Sequence, residues 1–252
     1  LPRPRRLHRP HRPPGQQQAH PQEPQEAAWT RQRQFVADAS HELKTPLTVI
    51  LTNAELLGDP AWREADRERF SRNILTMARQ MRGLVESLLE LARLDAGGLD
   101  AAPELLDFSA LVSDAVLPFE PVYFERGLEL ACRIEEGVRV RGSAARLRQL
   151  ADILLDNAAK YAAPHSQVTV ALARRGGRSL LSVSSAGAPI PAEELESIFL
   201  RFYRADKARR RDGSFGLGLS IAREIVQAHR GRIWAESGDG RNTFHAELPA
   251  PR

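Results

Sequence analysis

Seven apolar residues, Phe70, Ile74, Met77, Met81, Leu84, Leu88 and Leu91, follow one another in unbroken steps of four and three. That period puts all seven on one stripe of a long helix and excludes a strand, whose apolar residues would recur every second position. A looser stripe precedes it. Val36, Leu43, Leu47, Ile50, Ala54 and Leu57 alternate in threes and fours from Leu43 onward, and Gly58-Asp59-Pro60 interrupts the pattern. Two long helices joined by a short turn form an antiparallel hairpin. A hairpin alone leaves part of two apolar stripes open to water, and dimerisation into a four-helix bundle covers them.

Around this hairpin the chain changes character twice. Residues 1–26 hold seven prolines, five arginines and a QQQ tract, a composition that cannot bury enough apolar surface to offset ordering, so they read as a disordered tail. Those residues carry +3 of the formal net charge of +4, leaving +1 for the rest, so the basic balance describes a tail and not a nucleic-acid-binding face. The hairpin then occupies 27–95, and Ala96-Gly97-Gly98 opens a linker over 96–103. Beyond it, helix and strand signals mix. Ser109 can cap a helix to about Tyr123, and 128–134 and 138–141 read as strands. Ser143 can cap a helix through Ala163. Residues 168–173 and 179–183 flank Gly176-Gly177 as a hairpin, a helix runs from about Gly218 to His229, and 232–236 and 243–248 close the chain as a second hairpin. This order predicts an α/β sandwich over 104–250.

The single cysteine, Cys132, excludes an internal disulfide and a cysteine-built zinc site. No run approaches 18 apolar residues, so a membrane span is not expected in this sequence, and no apolar leader opens it. The chain starts at Leu1 without Met, which fits a fragment or an unusual start codon, with any anchor or sensor lying upstream.

Three constellations can carry chemistry. In Ser40-His41-Glu42-Leu43-Lys44-Thr45-Pro46, His41 sits two positions before Leu43, off the apolar stripe, and should face solvent. A neutral imidazole there can attack phosphorus, and Glu42 beside it can hold or accept the ring proton. Thr45 is one turn on, where a hydroxyl can orient a water, and Pro46 removes a helical hydrogen bond and bends the helix. In Leu154-Leu155-Asp156-Asn157-Ala158-Ala159-Lys160-Tyr161, the amide oxygen of Asn157 suits a Mg²⁺ ion that keeps most of its waters. Lys160 lies on the same face for a phosphate, and Tyr161 can pack on a base. In the third, Gly187 with Ile190-Pro191 is followed by Gly213, Gly216 and Gly218 before a helix, where backbone N–H groups can approach a phosphate. Neither a P-loop nor a G-x-G-x-x-G follows a strand here. Each piece alone is also what an ordinary solvated helix face or flexible loop would show. His229 reads as a helix-end cap, His165 and His245 as surface or strand residues, and Lys207, Arg209, Arg210 and Arg211 as a basic loop.

In order, ASHELKTPLTVI, LLDNAAKY, AGAPIP with IFLRFYRAD, GSFGLGLSIA and the GRNTF strand resemble the sensor histidine kinases of two-component systems over about residues 30–250. The resemblance implies a homodimeric phosphotransfer hairpin followed by a Bergerat-type ATP-binding domain, with ATP and Mg²⁺ as cofactors. It implies autophosphorylation and transfer to an Asp of a response regulator. It also implies that the chain is the cytoplasmic portion of a sensor anchored in the bacterial inner or plasma membrane by a segment absent from it. Position by position it makes His41 the phosphoacceptor, Glu42 its acid/base partner and Thr45 a residue for dephosphorylating the regulator. Asn157 becomes the metal ligand, Lys160 a phosphate contact and Tyr161 an adenine-pocket residue. Residues 191–215 become an ATP lid with Phe199, Phe202, Tyr203 and Arg204. Gly216 and Gly218 match the phosphate-side glycines, and Gly187, Ile190, Leu217 and, on the final strand, Thr243 join the cofactor-binding set. Two positions depart from the family: Ser185 stands where Asp or Asn usually meets the adenine amino group, and Ile153 replaces a polar residue four before Asn157. They keep open a second expectation, a non-catalytic dimeric scaffold with impaired ATP binding, and Thr45 keeps open a phosphatase-dominant third.

Overall fold

A computed structural model describes residues 23–95, 103–204 and 214–251, without the side chains of 23–28 and 31. By internal contacts the chain divides into residues 1–37 and 38–252. In the first, the Arg33 guanidinium lies 5.8 Å from the centre of the Trp29 ring, one turn away. The tail and linker assignments at 1–22 and 96–102 fall outside the described residues. Helix α1 (Glu23–Gly58) opens inside the stretch read as tail.

Helices α1 and α2 (Glu64–Asp95) form the expected hairpin, with a turn in which the Asp59 carboxylate accepts from the Ala61 N–H at 2.9 Å. All seven residues of the α2 stripe are shielded, and Leu84 and Leu91 are fully buried. The α1 stripe is different. Its inward face carries Pro46 and Asn53, both buried, while Val36, Leu47 and Ala54 of the predicted stripe are exposed. The apolar arc of α1 is wider than the seam it shares with α2, and the periodicity traced the middle of that arc. Leu47 and Leu51 on α1 and Leu75, Val85 and Leu89 on α2 remain exposed apolar residues of that second face. Asn53 explains its own burial: its amide donates to the Val49 carbonyl at 2.7 Å, and its oxygen accepts from Asn73 at 3.1 Å. This polar pair sets the register of the hairpin, because a slip would bury an unpaired amide.

The second part is a mixed five-stranded sheet with helices on one face. Strands β2 (Glu129–Ile134), β4 (Gln167–Arg175), β5 (Arg178–Ala186), β6 (Arg232–Gly238) and β7 (Arg241–Pro249) take the order β2-β4-β5-β7-β6. Only the β2–β4 pair is parallel. Burial alternates along β4, β5 and β7, so Val168, Val170, Leu172, Leu181, Val183, Phe244 and Ala246 form one inward face. Leu147, Leu150, Leu154 and Leu155 of α5 (Ala144–Tyr161) and Ile221 and Ile225 of α6 (Gly218–Ala228) complete the core. Gly176 and Gly177, at φ +55° and +75°, supply the β4–β5 turn that side chains would strain.

Three local expectations are corrected. The region 109–123 is two helices, α3 (Phe108–Val116) and α4 (Phe119–Glu125), parted at Leu117-Pro118 because proline cannot donate to the preceding turn. The α3 cap is Asp107, whose carboxylate accepts from Ala110 N–H at 3.0 Å. Ser109 instead donates to the Glu135 carbonyl at 2.6 Å and accepts from Val138 N–H, holding the β2–β3 turn. A short strand, β1 (Glu104–Asp107), pairs antiparallel with β3 (Arg139–Gly142), which sequence reading missed because four residues show no period.

His229, buried at the end of α6, does more than cap its own helix. Nδ1 donates to the Ile225 carbonyl at 2.7 Å and Nε2 accepts from the Ser143 N–H at 3.1 Å, so the neutral ring joins α6 to the start of α5. Burial, and then the nearby Arg146, hold its pKa below the ordinary 6.5. The unfolded chain therefore takes up the proton first. Stability supplied by His229 is present above about pH 6.5 and falls as pH drops through its lowered folded value. His229→Asn should flatten part of the pH dependence of the thermal midpoint below about pH 6.5, and His245, whose pKa burial also lowers, contributes a further part. An unchanged slope would refute the role.

Candidate active site

The site grows from the C-terminal half of α5, the segment after β5, the N-terminus of α6 and strand β7. They enclose a cavity of about 870 Å³, within the range that takes a nucleotide-sized ligand. Asn157, Lys160, Tyr161, Ser185, Ile190, Tyr203, Arg204, Gly216, Leu217 and Gly218, singled out above, all line it. Their spacing explains the convergence. Asn157, Lys160 and Tyr161 occupy successive positions on one side of the last turns of α5, and Ser185 faces inward on β5 at the position paired with Asn242 of β7.

Thr243, Phe199 and Gly187 stand elsewhere. Thr243 points away from the cavity, because alternate residues of β7 face opposite sides; its hydroxyl donates to Ser184 Oγ at 3.0 Å, and its neighbours Asn242 and Phe244 line the cavity instead. Phe199 is buried behind the wall, edge-on to Phe244 at 6.5 Å between ring centres. Gly187 also lies behind it, where a side chain would come within 3.0 Å of the Tyr161 carbonyl. Asn242 had no signal of its own in the sequence, since it acts through strands that fold brings together. Its amide donates to the Ala188 carbonyl at 2.8 Å, and its oxygen accepts from Ser237 Oγ at 2.7 Å. Ser237 in turn accepts from the Ile190 N–H. This chain fixes the segment that carries Ile190 against the base of the cavity. Ser185 itself makes no side-chain hydrogen bond among the described residues, so its hydroxyl is available to a ligand.

On the opposite side the cation inventory is partly self-compensated. Lys160 Nζ lies 2.5 Å from the Asp156 carboxylate. The Tyr203 phenol is pushed above its ordinary range, first by burial and then by Glu194 and Glu193. Tyr161 OH meets Ser214 Oγ at 3.2 Å. Among the described residues no three His, Cys, Asp or Glu side chains cluster to hold a metal. That donor set fits Mg²⁺ held through phosphate oxygens and water with one amide oxygen, that of Asn157, and does not fit a cage of carboxylates. The predicted lid is described except for 205–213.

Gly216 and Gly218 are there for different reasons. Gly216 has φ +69°, and an added Cβ would meet the Tyr203 carbonyl at 2.5 Å, so the backbone at Phe202-Tyr203 passes directly against it. At Gly218 a Cβ would make an ordinary 3.6 Å contact with Ile153, so the protein's own packing does not require glycine there.

His41 is exposed on α1, as its place off the stripe implied, with Glu42 half-buried beside it. Thr45 is exposed one turn on, its hydroxyl donating to the His41 carbonyl at 3.4 Å, and Pro46 packs inward without ending the helix. The Asn53–Asn73 pair fixes heights along the hairpin. Twelve residues back from Asn53 is His41, and about twelve on from Asn73 is Val85, so His41 lies level with that turn of α2. The cavity's remaining wall is α2 at that height: Arg79, Gln80, Gly83 and Ser87.

Residues 31–97 match the His Kinase A (phospho-acceptor) domain, and 142–252 match the histidine kinase-, DNA gyrase B- and HSP90-like ATPase family. Similar proteins include the sensor protein DltS of Streptococcus agalactiae, 34% identical over 226 residues, covering 90% of this chain and 56% of DltS. The sensor histidine kinase TrcS of Mycobacterium tuberculosis is 40% identical over 229 residues, covering 87% of this chain and 44% of TrcS. The chain thus spans about half the length of the curated relatives it matches. In fold it resembles the Acinetobacter baumannii histidine kinase AdeS, with TM-score 0.70, 22% identity, and 84% and 98% of the two chains covered. It also resembles the histidine kinase ThkA in complex with response regulator protein TrrA, with TM-score 0.74, 21% identity, and 91% and 65% covered.

Gly216→Ala should lower stability by at least about 1 kcal/mol through backbone strain. Gly218→Ala should leave the melting temperature unchanged yet weaken nucleotide binding. Paired thermal melts and nucleotide titrations check both, and equal destabilisation by the two would contradict the distinction.

Proposed function

The chain belongs to the sensor histidine kinases of two-component systems, and from that premise we propose that it binds ATP in the α5–α6 cavity and phosphorylates itself on His41. The observation that carries the proposal is the match in height between the exposed His41 and the α2 wall of the cavity. Adenine would sit against Ile190, Ser185 and Asn242, with the polyphosphate running toward Asn157 and the start of α6, where free backbone N–H groups and the helix dipole favour negative charge.

A His41 ring nitrogen attacks the terminal phosphorus as the bond to the bridging oxygen breaks. ADP leaves, and the ring proton passes to Glu42 or water. Positioning and charge neutralisation account for most of the barrier lowering in such a transfer. Bound Mg²⁺ would neutralise phosphate charge, and Asn157 is the residue that would hold it. The phosphoryl group would then pass to an Asp of a response regulator docked on the lower hairpin, near Leu47–Leu57.

The exposed apolar residues Leu47, Leu51, Leu75, Val85 and Leu89 support a homodimer through a four-helix bundle. Among the described residues no helix is long and apolar enough to cross a membrane. The relatives are named as sensors, and we read this chain as the cytoplasmic portion of a membrane-anchored one. Thr45 supports a second activity on the same hairpin, regulator dephosphorylation, with its hydroxyl orienting the water. The scaffold reading draws on Ser185 and Ile153; both line the cavity without closing it.

His41→Gln should abolish acid-labile labelling from γ-labelled ATP while ATP affinity, measured with and without Mg²⁺, stays intact. Persistent labelling would overturn the phosphoacceptor, and no binding at millimolar ATP would favour the scaffold. Thr45→Ala should slow regulator dephosphorylation by at least about tenfold with autophosphorylation retained; a phosphatase rate equal to the parent's would remove Thr45 from that role.

A further inference from the structure

The α2 wall of the cavity is chemically unlike the rest of α2. The helix follows an apolar heptad from Phe70 to Leu91, yet the turns that face the cavity present Arg79, Gln80, Gly83 and Ser87. Arg79, Gly83 and Ser87 are four residues apart and share one side of the helix. Glycine inside a helix is unfavourable relative to alanine. At Gly83 nothing lies within 4 Å of where a Cβ would be, so packing within this chain does not require it. The position opens onto the cavity instead.

Arg79 is set apart by charge. Arg72 and Arg82 on either side are paired with Glu68 and Glu86 one turn away, whereas Arg79 has no carboxylate partner among the described residues. Inside the cavity Lys160 is already paired with Asp156. A polyphosphate entering this space meets few uncommitted cations, and Arg79 is one of them.

Its position is set by an anchor. Arg146, buried in the first turn of α5, forms an ion pair with Glu90 of α2. Arg201 grips Asp95 with both amino groups, at 3.0 and 2.5 Å, and reaches Glu224 of α6 at 3.4 Å. From Arg146, α5 runs on eleven residues to Asn157; from Glu90, α2 runs back eleven to Arg79. Each lies about 16 Å along its helix from the shared pair, and both line the cavity.

We propose that α2 completes the nucleotide site: Arg79 meets the polyphosphate across the cavity from Asn157, and Gly83 leaves the space through which it passes toward the level of His41. This rests on reading the cavity as the ATP site. It makes Arg79 a binding residue supplied by the hairpin, so that ATP itself strengthens docking of the ATP-binding part on α2.

Calorimetric titration of the full chain with Mg²⁺-ATP and, separately, adenosine tests it. Arg79→Ala should weaken ATP roughly tenfold and leave adenosine unchanged, since a lost charge-assisted contact acts on phosphate alone. Gly83→Leu should weaken ATP at least as much without lowering the melting temperature, because leucine favours the helix while filling the space. ATP affinities within twofold of the parent in both variants would overturn the proposal, as would an equal loss of adenosine. A parent chain that binds neither ligand would instead overturn the ATP reading itself.

Discussion

Helix α2 has more neighbours than one apolar stripe can serve, and the way its faces are divided determines the rest of the structure. One face, from Phe70 to Leu91, closes the hairpin against α1. A second, with Leu75, Val85 and Leu89, stays exposed. A third carries Gly83, Glu90 and Asp95 toward α5, α6 and the cavity. Burying apolar surface drives the first and supports a partner on the second. The third is polar and held by ion pairs with arginines.

The polar groups that are buried are committed to register. Asn53 sits where an apolar residue would pack, and its pairing with Asn73 and Val49 makes one alignment of α1 and α2 better than its neighbours. His229 does the same between α5 and α6. Both fix distances that the site depends on: the first sets the height of His41 against the cavity, and the second holds together the two helices that line it. Arg146, buried beside His229, links this arrangement to α2 through Glu90.

Much of the molecule was legible in the chain because periodicity reports burial directly. The α2 stripe, the alternation of β4 and β5 and the exposure of His41 follow from which residues water excludes. Legibility failed where a helix carries more apolar surface than its partner in the chain covers, as on α1, and where a short element has no period, as at β1. It failed also at Ser109, whose hydroxyl found a partner in a turn far along the chain rather than in its own helix. Thr243 was misplaced by one position, and in a strand one position is the opposite face.

The sequence by itself determined the hairpin, the α/β sandwich and the exposed imidazole, since each depends on apolar spacing or on local backbone chemistry that neighbours in the chain dictate. Only the tertiary structure decided that Asn242 braces the segment carrying Ile190 and that Gly216 lies against the Phe202-Tyr203 backbone. It alone brought Arg79 and Gly83 to the cavity that Asn157 lines. Those relations join residues from about a dozen to nearly eighty positions apart, and long-range register is fixed by packing and paired charges rather than by any local preference of the chain.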